Sequence, residues 1–234
     1  MTSIRFPMIA AVALACGLLA PVVQSAELPA TVTNADAADA LRQALTQGAG
    51  AAVGKLGVAD GFLKNPQVKI PLPPNLRKGE KLLRMAGYGK QLDGLVTTMN
   101  HAAEAAVPEA RTLLVNSIQQ MSLQDARQIL SGGDDAATQY FRKVTRDPLT
   151  ARFLPIVKQS TDKLGVATQY NQLAGQAAKY GMLSAEEANI EQYVTQKALD
   201  GLYLMIAEEE RAIRKDPLGQ ASNLLKRVFG AIGP

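Results

Sequence analysis

The chain of 234 residues is 47% hydrophobic and 20% charged, with a formal net charge of +4, which is enough length and apolar content for a sizeable core. Its lysines and arginines alternate with acids, as in "EKLLR" and "EEERAIRK". That is the pattern of solvated helix faces and not of a phosphate-tracking stripe, so no nucleic-acid partner is expected. The absence of Trp and an aromatic content of 5% leave little material for base stacking or a sugar platform.

Residues 1–26 read as a cleavable secretory signal peptide. Arg5 supplies the positive start, "MIAAVALACGLLA" the apolar centre, Pro21 its break, and "VVQSA" the small residues before a cut after Ala26. The expected compartment is the periplasm. A lipid anchor at Cys16 is not expected, because Ala13 and Leu14 stand in reversed order for a lipoprotein box and the chain stays apolar through Val23. Loss of Cys16 with the leader would remove disulfides, thiolate metal sites and cysteine nucleophiles together. No later stretch reaches the roughly 20 apolar residues of a transmembrane helix. Residues 27–234 are expected to form a single all-α domain.

Thr33 and Asp36 form a capping box opening a first helix, with Ala37, Leu41 and Leu45 on one face. Next comes "NPQVKIPLPPNL", residues 65–76, whose prolines exclude a helix. Val68, Ile70 and Leu72 alternate there with Gln67, Lys69 and prolines. The alternation predicts an extended, proline-rich strap with one face buried, Phe62 and Leu63 anchoring its start, and at most one short β segment. Its free backbone edge, around Val68, Ile70 and Leu72, is a candidate docking place for a protein partner.

Beyond the strap, Leu76, Leu82, Leu83 and Met85 predict a helix stopping at Gly87, and Leu92, Leu95, Val96, Met99 and Ala103 predict the next. Pro108 kinks that helix or starts its successor, which carries Leu113, Leu114 and Ile118. A second capping box, Ser122 and Asp125, precedes "ARQIL", and further helices are predicted from Asp134 and from Asp147. A third box, Ser184 and Glu187, precedes a long helix over about 190–215. Val194, Ala198, Gly201 and Met205 form one apolar stripe on it, and Leu199, Leu202, Ile206 and Ile213 another, so it is predicted to be the central helix of a bundle. Its charged second half is expected to face water.

The segments "GFLKNPQVKIPLPPNL", "MNHAAEAAVPEA", "DDAATQYF", "FLPIVKQSTDKLGV" and "YVTQKALDGLYLMIAEEERAIR" together resemble the family of secreted bacterial proteins known as domain of unknown function 4197. The resemblance spans nearly the whole chain after the leader. It implies a helical protein of the proteobacterial envelope and supplies no activity. The family pattern carries an arginine after "MN" where this chain has His101, which argues against a catalytic role for that histidine.

The motifs that could carry chemistry each have a plainer reading. "STDK", Ser160 to Lys163, matches the S-x-x-K of penicillin-binding enzymes but lacks the S-D-N and K-T-G companions. "AGAAVGKL" lacks the first glycine and the Mg²⁺-binding hydroxyl of a phosphate loop, and Gly50 and Gly54 are read instead as a place of close helix approach. His101 and Glu104, three apart, could offer two ligands on one helix face, but with no second histidine no metal or cofactor is expected. Asp134 and Asp135 in "GGDDAATQYF" are either a ligand loop or a helix cap and first-turn acid. Lys197 and Asp200, within the apolar half of the long helix, are read as a buried pair or the polar spot of a cavity.

Two functions of different class follow. The first is a non-enzymatic binding module, taking a protein partner or a small apolar ligand between its helices, with Glu104, Asp134, Asp135, Lys197 and Asp200 as candidate binding residues. The second is a carboxylate-dependent hydrolase or lyase built from Glu104, Asp134, Asp135 and Asp200.

Overall fold

A computed structural model describes residues 33–163, 168, 170 and 189–216. The leader with Cys16 and the Ser184–Glu187 box lie outside the described residues. The fold is all-α, and among the described residues there is no strand.

Helix α1, Asn34–Leu56, begins at the expected capping box: the Asp36 N–H donates to Thr33 Oγ1 at 3.1 Å, and the Thr33 N–H donates back to Asp36 Oδ2 at 3.0 Å. It buries Leu41, Leu45, Ala49, Val53 and Leu56. Gly50 and Gly54 are not a point of close approach. An added Cβ would meet nothing within 4 Å at Gly54, and only Arg111 Nη2 at 4.0 Å at Gly50.

The strap is a turn followed by an extended run. The Val68 and Lys69 N–H groups donate to the Asn65 carbonyl, and from residue 69 the backbone extends as far as the start of helix α2, Pro74–Leu83. The helix therefore starts two residues before the predicted end of the strap, because Pro74 at its first position needs no N–H and comes with φ already set. Val68, Ile70 and Leu72 are buried while Lys69 and Pro71 are exposed, as the alternation required. Phe62 is fully enclosed and rests on Gly201, where a Cβ would lie 2.8 Å from Phe62 Cε1 and 3.2 Å from Val68 Cβ.

A wide turn, Arg84–Tyr88, carries Gly87 at φ 91°, a left-handed conformation that ends the helical path where the sequence placed the stop. Leu76 and Leu83 pack on the core, whereas Leu82 and Met85 are exposed. Helix α3, Gly89–Ala106, buries Leu92, Leu95, Met99 and Ala103. A 3₁₀ turn at Val107–Glu109 holds Pro108 and leads into α4, Ala110–Gln119. Helix α5, Leu123–Ser131, starts at the Ser122–Asp125 box and stops at Gly132.

Helix α6, Ala136–Thr161, departs from expectation, since it runs unbroken through Pro148 and Pro155 and no new helix starts at Asp147. Ala137, Phe141, Thr145, Leu149, Phe153, Val157 and Thr161, four apart, form one buried face, and both prolines lie on the exposed one. The carbonyls freed by the rings are therefore left to water while tertiary packing holds the inner face. Helix α7, Ile190–Lys215, is capped by Asn189, whose Oδ1 accepts from the Gln192 N–H at 2.8 Å. Helices α1, α3 and α6 pack against α7, and Leu199, Leu202 and Tyr203 are completely buried there. One continuous hydrophobic cluster joins α1, the strap and α3 to α7.

Candidate functional site

The buried polar side chains mostly hold backbone. Glu104 on α3 accepts the Phe62 and Leu63 N–H groups at Oε1, both at 3.0 Å, and the Asp60 N–H at Oε2, at 3.1 Å. One turn earlier, Asn100 pairs with Ile70 as a neighbouring strand would. Its Oδ1 accepts the Ile70 N–H at 2.8 Å, and its Nδ2 donates to the Ile70 carbonyl at 2.9 Å. The Tyr193 hydroxyl donates to the Pro71 carbonyl at 3.1 Å. The strap's polar groups are thus satisfied in part by α3 and α7, and Val68, Ile70 and Leu72 point into the core. A partner at the strap would meet Pro66, Gln67, Lys69 and Pro71 instead.

The acids singled out in the sequence have different neighbours. His101 Nε2 lies 3.9 Å from Glu104 Oε2 and 3.8 Å from Asp60 Oδ1, but both carboxylates are already engaged, Glu104 by the backbone N–H groups above and Asp60 by Lys64 at 2.8 Å. That hydrogen bond holds the Asp60 carboxyl below its ordinary value. Asp134 and Asp135 are exposed. Asp135 takes the N-cap position of α6, where Asp134 was expected, yet its carboxylate accepts only from Gln139 Nε2, at 2.9 Å.

The first N–H groups of α6 are taken from across the fold. Glu210 of α7 accepts from the Ala137 and Thr138 N–H groups, both at 2.9 Å, and from Thr138 Oγ1 at 2.8 Å. Arg214 donates to Glu210 and to the Ile129 carbonyl at the end of α5. The charged end of α7 is therefore partly internal, because a helix start buried against it needs an acceptor.

Lys197 and Asp200 are not a buried pair. Lys197 is exposed, with Nζ 6.0 Å from the Tyr193 ring centre. Asp200 is half-buried and faces Arg146 at 3.6 Å and Arg142 at 3.8 Å on α6. Among the described residues no three His, Cys, Asp or Glu side chains gather as a metal site would require. Ser160 donates to the Ile156 carbonyl within its own helix.

Besides an open depression of about 600 Å³ beside Arg77, Lys81 and Met85, two spaces among the described residues are lined from several elements. Between α1, α5, α6 and α7, beside Leu41 and Glu210, lies a gap of about 20 Å³, room for one water and not for an apolar ligand. The larger is a surface cleft of about 610 Å³ between the strap, α2 and α3. Leu63, Leu72 and Val96 supply apolar walls, and Lys69, Arg77 and Arg84 supply cations. Arg84 is committed to Glu80 at 2.9 Å and Asp93 at 2.7 Å, an arrangement that keeps the Asp93 carboxyl below its ordinary value. Among the described residues Lys69 and Arg77 have no carboxylate within 4.0 Å.

Asn100, Glu210 and this cleft were not picked out from the sequence. Asn100 and Glu104 continue the four-residue spacing of Leu92 and Val96, and Glu210 that of Leu202 and Ile206. A polar residue in register with a buried stripe was the available signal.

The class so defined is an all-α protein whose extended strap is held by buried amide and carboxylate side chains beside an open cationic cleft. The chain belongs to the family described as protein of unknown function (DUF4197), whose model matches residues 31–230. No curated protein and no solved structure matches it. No helix among the described residues is long and apolar enough to cross a membrane.

Proposed function

We propose that the protein is an exported, periplasmic binding module without catalytic activity, and that its ligand is a small organic anion with an apolar body, taken into the cleft between the strap, α2 and α3. The observation carrying this reading is the pair of uncommitted cations, Lys69 and Arg77, over the apolar walls of a cleft of about 610 Å³. A carboxylate or phosphate would supply the partner that the described residues do not. The hydrolase or lyase reading is the weaker one, because Glu104 is spent on backbone N–H groups and Asp135 and Asp200 have separate neighbours.

Decanoate and decyl phosphate are the probes. Either should bind saturably by calorimetry and raise the midpoint of thermal unfolding. Lys69→Glu with Arg77→Glu should abolish that binding without unfolding the protein, since both side chains are exposed. Failure of both probes to bind, or undiminished binding by the double variant, would overturn the reading.

A further inference from the structure

We propose that the outward face of α2 and the turn after it docks on an anionic lipid surface. Leu76 and Leu83 tie the inner side of α2 to the core. At 100° per residue the opposite side gathers Lys78, Lys81, Leu82 and Met85. Leu82 is 72% exposed, Met85 69% and Tyr88 53%, so three large apolar side chains stand in water within seven residues. Scattered single apolar residues on a surface need no explanation, but a cluster set among cations does.

Charge and exposed apolar surface together identify the occupant. Residues 74–90 hold Arg77, Lys78, Lys81, Arg84 and Lys90 against Glu80 alone, a local excess of four that equals the formal net charge of the entire chain, +4. The remaining twenty cations and twenty acids cancel in sum, but residues 142–158 of α6 hold the same balance, five cations against Asp147, so what sets the arm apart is its three exposed large apolar side chains among the cations. A second copy seated on the same face would bring like charge against like charge. A bilayer of anionic headgroups over an apolar interior matches both features at once, since the lysines meet the headgroups while Leu82, Met85 and Tyr88 enter the acyl boundary. The arm is linked to α3 by the exposed Arg84–Asp93 pair, a contact that costs little to rearrange. This proposal does not depend on the cleft having a ligand.

The chain contains no Trp, so Leu82→Trp places a single fluorophore on the arm itself, and adsorption through another part of the chain does not move its signal. Its emission should shift to the blue with vesicles of phosphatidylglycerol and phosphatidylcholine, stay unchanged with phosphatidylcholine alone, and revert at high salt. Adding Lys78→Gln and Lys81→Gln should weaken the response about fivefold for each cation removed. Val144→Trp, on the exposed face of α6, should not respond. No shift with anionic vesicles, an equal shift with neutral ones, or a shift that tracks protein concentration without vesicles would each overturn the proposal.

Discussion

Glu104 shows how one side chain acts as a joint. Its two oxygens satisfy three N–H groups of the segment leading into the strap, from a helix position more than 40 residues away in sequence. The Phe62 N–H is buried against its own enclosed ring, so removing the acceptor leaves that donor without water as a replacement. Glu104→Ala is expected to destabilise the protein by about 3 to 5 kcal/mol in urea unfolding. Glu104→Gln should lose less, about 1 to 2 kcal/mol, because the amide oxygen can still accept from Phe62 and Leu63 while its NH₂ faces the Asp60 donor. Equal losses for the two variants would mean that the side chain acts by volume alone.

At the scale of elements, helix ends and close contacts set the expectations. The Ser122 hydroxyl and N–H hold the Asp125 carboxyl below its ordinary value. A folded value below the unfolded one, about 3.9, means the stabilisation is complete above that pH and is lost as the pH falls through the folded value. The stability difference between the native sequence and Asp125→Asn, read by denaturant unfolding, should therefore be present at pH 6 and shrink toward pH 3. Gly201 tests packing. Gly201→Ala gains helix propensity of about 1 kcal/mol but forces a Cβ against Phe62 and Val68, a clash of about 1 to 3 kcal/mol, so a net loss and faster tryptic cleavage at Lys69 are expected. Gly54→Ala, with open space around it, should instead stabilise by up to about 1 kcal/mol.

For the whole molecule, α7 is the common support of α1, α3, α6 and the strap, and Leu202 lies fully buried at its middle. Leu202→Ala should cost about 2 to 5 kcal/mol in chemical denaturation, the range for a cavity in a core that collapses only partly. A loss below about half a kcal/mol would be that of a peripheral helix. The exposed cations of the cleft, Lys69 and Arg77, and the outward face of α2 sit at the other extreme, so changes there should alter binding while leaving stability nearly intact.

Much of this architecture was legible because it is local. The boxes at Thr33 and Ser122, the stop at Gly87, the inward alternation of Val68, Ile70 and Leu72, and the span and stripes of α7 depend on groups within four residues of each other or on a simple period. What only the tertiary structure decided rests on contacts between distant parts of the chain. Leu63 meets Glu104 across 41 residues and Ala137 meets Glu210 across 73, and no spacing rule reaches that far. Hence the start of α6 is bonded by Glu210 and not by the aspartates beside it, and α6 runs on through two prolines. Asp200 finds arginines in place of Lys197, and Lys69 and Arg77 converge on a cleft that neither marks alone, because a buried polar group takes whichever partner packing brings to it.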